Sequence, residues 1–255
     1  MILRNFARRS ENYREEKMKI FDDKRQTPKY LDKHGTFAEI VLIALVFVIA
    51  PIISVVIATR GDMRAVEKSL SWLGYREDYL ALVYFWGLLN IVAFVYALKM
   101  LVDAGKYTSP ARRIIYALTA ISCLILLIGV SVPYLDGTGD EVAKFNLMRK
   151  IHNAFSTVGL VMFFVVVIGI SISTLARNKR QFAISMGMLA FVLITSILLI
   201  TQANVVGSRC QVTAIAQVYM FSAFEVVLGI EYFLMREMTN ERIENTSVTD
   251  ANATE

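Results

Sequence analysis

Apolar residues in this chain collect into six long runs that are separated by short polar stretches. Each run has about 20 residues with few or no charges, the length that an α-helix needs to cross a hydrocarbon core of about 30 Å. The runs lie at about 38–59, 79–102, 113–135, 152–176, 181–204 and 212–235. This pattern predicts an all-α, polytopic membrane protein built as a six-transmembrane-helix bundle.

Polar segments flank the apolar runs at both ends of the chain. The first 36 residues contain ten Lys or Arg and six Asp or Glu, and residues 37–236 hold the predicted transmembrane domain. We predict that residues 1–36 form a charged cytoplasmic arm, which is either a docking or membrane-surface helix or, as we favour, a solvated tail. Residues 237–255 are polar and are predicted to form a disordered cytoplasmic tail.

The orientation is predicted from the distribution of basic residues between the two sides. With the N-terminus inside, the cytoplasmic segments hold nineteen Lys or Arg and the outer loops hold eight. Because cytoplasmic loops carry the excess of basic residues, both termini are predicted to be cytoplasmic. We expect an integral membrane protein of the plasma membrane rather than of an internal membrane.

Composition narrows the possible chemistry. The chain is 56% apolar with a net charge of +5, and topology-setting Lys and Arg account for that charge, so we predict no nucleic-acid partner. Cys123 and Cys210 are not expected to meet in a disulfide. Two histidines, His34 and His152, form no ligand cluster with them, and we predict no metal and no cofactor.

Several helix features carry a local prediction. Pro51 and Pro133 should kink or end their helices, because proline lacks the amide donor of a helix interior. In the first outer loop, residues Ser69, Ser71, Trp72 and Gly74 form a semi-apolar stretch that is predicted to lie at the outer interface.

Polar residues at membrane depth are the candidate functional groups. Glu225 lies at the centre of the last apolar run, where a buried acid is costly and normally faces a bundle interior or a wet cavity. We predict an intramembrane polar cavity, open to the outer leaflet, that holds a polar head or an ion. Its predicted lining is Asn90, His152, Ser156, Gln202, Gln217 and Glu225.

Structural interpretations of the same residues stay open. Glu225 could instead bond to Asn90 as interhelical glue, a contact worth about 1 kcal/mol. For His152 we favour a capping or loop-anchoring role. Glu231 is expected to pair with Arg236 or to reach water near the inner interface.

Catalytic signatures are missing from the sequence: it has no nucleophile elbow, no paired-histidine metal motif and no phosphate-binding glycine loop. A set of Ser156, His152 and Glu225 can be drawn, but Ser156 and His152 are helical neighbours and Glu225 lies much deeper. We therefore predict no catalytic residues, and an enzyme is the least supported class.

The SLSWLG loop (69–74), Gly87, the Gly129 to Pro133-Tyr134 segment and the His152-Asn153-Ala154 start of the fourth run resemble the six-helix membrane family filed as domain of unknown function 998. Residues 223–234, AFEVVLGIEYFL, are similar to the last helices of the DRAM/Frag/Sfk group. The first resemblance implies a six-helix fold without an assigned activity, and the second implies lipid-linked roles. The matching positions are Ser71, Gly74, Pro133, His152 and Glu225.

These observations leave three functional hypotheses. The first is a non-enzymatic membrane protein that binds or organises a lipid or an amphipathic ligand in the outer-leaflet cavity. The second is an accessory or scaffold subunit of a larger membrane complex, with a membrane-protein partner bound through residues 1–36. The third is a small proton-coupled transporter that uses Glu225. Membrane lipid is an expected partner in the first hypothesis, and the oligomeric state is left open.

Overall fold

The fold is seen in a computed structural model that describes residues 29–60, 69–76, 79–132, 142–175, 178–205 and 213–252, some helix-end positions by their backbone alone. Every regular element within these ranges is a helix. The helices are α1 (Lys29–Leu42), a π-helical segment (Ile43–Ile49), α2 (Ala50–Arg60), α3 (Leu70–Arg76), α4 (Leu80–Ala104), α5 (Ser109–Ser131), α6 (Val142–Leu175), α7 (Lys179–Val205) and α8 (Ala214–Asn252).

Six stretches of these helices are long and apolar enough to cross a membrane. They are Gly35–Thr59, Leu80–Ala104, Ser109–Ser131, Asn146–Leu175, Lys179–Leu199 and Ala214–Glu237. The prediction of an all-helical, multi-pass bundle is confirmed, and the six apolar helices make this an integral membrane protein. We call the bundle end that holds Gly35 and Glu237 the termini end, and the opposite end, which holds α3, the distal end.

The two prolines at predicted helix breaks behave differently. Pro51 does not end its helix, contrary to one of the predicted outcomes: the wide π-helical segment Ile43–Ile49 directly precedes it and the chain continues into α2. Widening the helix makes room for the proline ring and for the carbonyl that loses its donor. Before Pro133, α5 ends at Ser131, and Val132 is extended (φ −84°, ψ 125°), the conformation favoured before proline.

Helix ends differ most from the predicted bounds where polar residues follow an apolar run. α8 continues without a break to Asn252, so the prediction of a disordered tail from residue 237 is wrong for its described part. Adding a residue to an existing helix avoids the cost of nucleation, and residues 230–252 contain no Gly or Pro. α1 likewise begins at Lys29, inside the predicted arm, and residues 1–28 of that arm lie outside the described residues.

Helix α8 is the centre of the bundle. In its crossing 56% of the residues are buried, against 22–39% in the other five. It packs against α4, α7, α2 and the π-helical segment. Large apolar side chains on the other crossings, among them Ile52, Val92, Leu124 and Phe191, are exposed and face the position of lipid. The last crossing is therefore the one on which any interior site must be built.

Candidate functional site: buried polar groups around α8

The distal end of α8 is bonded to helix α3. The Gln217 side chain accepts a hydrogen bond from the Leu70 amide at 2.9 Å, and Ser69, Leu70 and Gly74 are buried. A Cβ on Gly74 would lie 3.2 Å from Val83 of α4. This segment therefore packs against the bundle more closely than was expected for a loop at the membrane interface. Ser71 is half-buried, and the side chain of Trp72 lies outside the described part.

A second polar contact joins α2 to α4, slightly nearer the bundle centre than α3. The Trp86 indole N–H donates to the Ser54 hydroxyl at 2.7 Å, and both residues are buried. The Trp86 ring also meets Phe221 of α8 edge to face, with centroids 5.4 Å apart. Three helices are thus joined at one level, and the buried indole has its partner.

His152 and Ser156 lie on the face of α6 that packs against α5. His152 is buried, and its Nδ1 donates to the Val132 carbonyl at 2.9 Å, which is the anchoring arrangement favoured for it above. Ser156 lies against Gly129, where an added Cβ would approach the Ser156 Oγ to 2.8 Å. Both contacts tie α6 to the end of α5.

Glu225 is fully buried at the centre of the bundle. Among the described residues, neither of its carboxyl oxygens has a hydrogen-bond partner. Asn90, also buried, donates its Nδ2 to the Trp86 carbonyl of its own helix at 2.7 Å, and its Oδ1 has no partner in the described chain. The hydrogen bond that the glue interpretation needs between Glu225 and Asn90 is therefore not formed.

The position of Glu225 follows from its neighbours on α8, since residues four apart share a helix face. Phe221, one turn towards the distal end, contacts Trp86 of α4. Gly229, one turn towards the termini end, is so close to the π-helical segment that an added Cβ would lie 2.7 Å from Phe47. Glu225 therefore faces the junction of α4 with the first crossing.

A small void lies between α4, α6 and α8, next to the α8 turn that precedes Glu225. Its volume is about 10 Å³, close to the minimum for one water molecule. Its lining residues, Asn90 apart, are apolar: Ile91, Phe94, Leu160, Phe163, Phe221 and Phe224. The Phe94 and Phe163 rings close it, with centroids 4.1 Å apart.

The residues of the predicted cavity thus have separate surroundings. Asn90 lines the void, Gln217 bonds to α3, and His152 and Ser156 contact α5 or the residue that follows it. The side chain of Gln202 lies outside the described part. On α7, Thr195 bonds to the Tyr219 hydroxyl of α8 and so joins these two helices.

A second fully buried acid lies nearer the termini end. Ser171 of α6 donates to Glu231 Oε1 at 2.5 Å, and Glu231 Oε2 has no partner among the described residues. The expected pair with Arg236 is wrong, because Arg236 forms an ion pair with Glu39 instead. Glu39 also accepts a 2.7 Å hydrogen bond from Tyr232, and this polar contact joins α1 to α8.

More buried polar groups lie on α6 and α7, beside Glu231 and towards the termini end. Ser185 of α7 approaches its carboxyl without completing a hydrogen bond, and Thr174 and Gln181 are buried one turn nearer the termini end. In the described chain, both amide atoms of Gln181 and the Ser185 hydroxyl are unpartnered. Of these groups, only Glu231 was recognised from the sequence.

The sequence feature that could have revealed this set is the helical hairpin formed by α6 and α7. Ser171 and Thr174 lie in the last two turns of α6, and Gln181 and Ser185 lie in the first two turns of α7. A helical hairpin places such positions at the same depth.

Within the described residues, no three His, Cys, Asp or Glu side chains are grouped as a metal site. Comparisons with protein-family models, with curated proteins and with solved structures found no match to this chain. Its resemblance to the six-helix families therefore stays a prediction.

Proposed function

We propose that the protein binds an amphipathic ligand with a cationic amine head at Glu225, in exchange for a proton, as the binding step of a small proton-coupled carrier. The observation that supports this is the Glu225 carboxyl, fully buried at the centre of the bundle with neither oxygen partnered in the described chain. Ionisable residues in such places normally mark ion, proton or ligand pathways.

The carboxyl chemistry sets the ligand's charge. A carboxylate at this position would be a buried charge without a partner, which costs several kcal/mol. Glu225 therefore needs a proton or a bound cation. A ligand with a positive head can replace the proton, whereas an anionic head would add a second negative charge.

The surroundings favour an organic cation with an apolar body. Phe221 lies one turn from Glu225 on α8 and contacts the Trp86 ring, and aromatic faces attract amines by about 0.5–2 kcal/mol. The Asn90 Oδ1 is a further acceptor at this level of the bundle. An amine-bearing lipid head and a free amphipathic amine share this chemistry.

Binding requires the site to open, because the void holds about one water molecule. The helices around Glu225 would have to separate. The π-helical segment Ile43–Ile49, on the wall that Glu225 faces, supports a functional site here, since π turns in helices are frequent at such sites.

The test uses full-length protein in a weakly buffered detergent solution, with tetraphenylphosphonium and dodecylamine as free probes. Each should bind with release of about one proton, and Glu225→Gln should abolish both signals. Glu237→Gln is the matched control, because Glu237 is an exposed acid on the same helix.

Nanodiscs of phosphatidylethanolamine or phosphatidylglycerol separate the two ligand sources. Loss of probe binding only in phosphatidylethanolamine would identify the lipid amine as the natural occupant. Probe binding that is equal in wild type and Glu225→Gln would refute the proposal.

We also propose that both termini are cytoplasmic and that the protein lies in the plasma membrane. The excess of nineteen over eight Lys or Arg supports it. A C-terminal green fluorescent protein fusion should fluoresce and an alkaline phosphatase fusion should be inactive; the reverse would overturn the orientation. The scaffold alternative depends on residues 1–36, most of which lie outside the described chain, and it stays a prediction.

A further inference from the structure

We propose a binding site for a sodium ion at the termini end of the bundle, between α6, α7 and α8, with Glu231 as its charged ligand. This site is separate from the amine site. Glu231 lies six residues beyond Glu225, about 9 Å along the helix axis. The inference does not depend on the proposed function.

The donor atoms identify the class of ligand. Glu231 Oε2, the Ser185 hydroxyl and the Gln181 amide are unpartnered in the described chain, and each residue is at least 97% buried. The Ser171 and Thr174 hydroxyls are also buried. Ser171 donates to Glu231 and Thr174 donates to the Ser171 carbonyl, so the lone pairs of both hydroxyl oxygens can still face a cation. Carboxylate, amide and hydroxyl oxygens without thiol or imidazole form a set that selects hard cations.

The net charge of the site favours a monovalent cation. Glu231 is the acid of this cluster, and Glu39 on α1 and Arg236 on α8 form an ion pair with each other. One carboxylate balances one monovalent cation. A divalent ion would leave an uncompensated positive charge at membrane depth, which is costly.

The packing favours a small ion. Ser171 donates to Glu231 at 2.5 Å, and this bond holds one carboxyl oxygen in place and leaves Oε2 for a ligand. Ser185 approaches the same carboxyl from α7. Because hydroxyls of α6 and α7 both lie at the carboxyl, the space left for a ligand suits sodium better than the larger potassium ion.

The cluster also provides an approach from the termini end. Gln181 lies four residues before Ser185 on α7, and Thr174 lies three residues after Ser171 on α6. Both are therefore one turn nearer the termini end than Glu231. Their polar groups would replace part of the ion's hydration on its way to the carboxyl.

A trapped water molecule could satisfy the same atoms, and the experiment must separate water from sodium. Purified full-length protein is unfolded by heat in NaCl, KCl or choline chloride at constant ionic strength. We expect a saturable rise of the midpoint in sodium alone, because a ligand that binds only the folded state stabilises it.

Three variants locate the effect. Glu231→Gln should abolish the sodium-dependent shift, and Ser171→Ala should weaken the apparent sodium affinity by about 10–100-fold, as for other residues that orient a metal ligand. Ser173→Ala is the matched control. Its hydroxyl lies on the same helix but bonds to Tyr107, so its shift should equal that of the wild type.

Equal midpoints in the three salts, or a sodium shift that persists in Glu231→Gln, would overturn the site. Should Glu231→Gln fail to fold, saturable binding of radioactive sodium to the wild type, competed by sodium but not by potassium, supports the site. Absence of such binding overturns it. Because the amine assay depends on Glu225 and this assay on Glu231, either proposal can fail alone.

Discussion

The polar contacts at the distal end of the bundle and the buried acids Glu225 and Glu231 differ in how completely their polar atoms are partnered. At the distal end, Gln217 bonds to the Leu70 amide, Trp86 to Ser54 and His152 to the Val132 carbonyl. In the centre and at the termini end, Glu225, Glu231 and Gln181 bury polar atoms that have no partner in the described chain.

The difference distinguishes polar side chains that hold a membrane bundle together from polar side chains that are kept for a function. A partnered polar side chain adds about 1 kcal/mol between helices and fixes their register. An unpartnered one lowers the stability of the folded protein, so its presence needs another reason, such as a proton, an ion or a ligand head. The comparison therefore predicts opposite signs for mutations at the two ends.

The largest expected effect comes from removing the central acid. Glu225→Leu should raise the free energy of unfolding by about 3 kcal/mol, because it removes a buried group whose oxygens are unpartnered. Thermal unfolding in detergent measures the change. A loss of stability would mean that Glu225 already has a partner in the folded protein, and the contrast between the two ends would disappear.

A smaller effect of opposite sign is expected at Trp86. Trp86→Phe should lower the free energy of unfolding by about 2 kcal/mol, because the Ser54 hydroxyl loses its donor and the smaller ring packs less area. A double-mutant cycle with Ser54→Ala should give a coupling of about 1 kcal/mol. A coupling near zero would show that this contact does not hold the distal end together.

The smallest effect should be local to α3. Gln217→Ala removes the acceptor of the Leu70 amide and should destabilise α3 by about 1 kcal/mol. Amide exchange over residues 70–76 should then be about fivefold faster. Hydrogen–deuterium exchange with mass spectrometry measures this. Thr201→Ala is the control, because that exposed hydroxyl bonds only within its own helix; equal exchange in both variants would contradict the anchoring role.

Most of the architecture could be predicted because it depends on one local property, the length of each apolar run. Pro133 likewise indicated the end of α5, although the helix ends at Ser131, before the predicted bound. Pro51 shows the limit of such rules. Whether a helix ends, kinks or widens at a proline depends on the helices packed against it, and here it widens.

For the candidate sites, the sequence determined which residues are costly to bury. The charge of Glu225 and its depth in the last run follow from its position in the chain alone. Only the tertiary structure decided which polar groups meet. It bonded Gln217 and His152 to backbone atoms and brought Ser171 and Ser185 to the Glu231 carboxyl. The physical reason is that burial cost is a property of one residue at one depth, whereas a hydrogen bond or an ion site requires the rotation of several helices relative to one another.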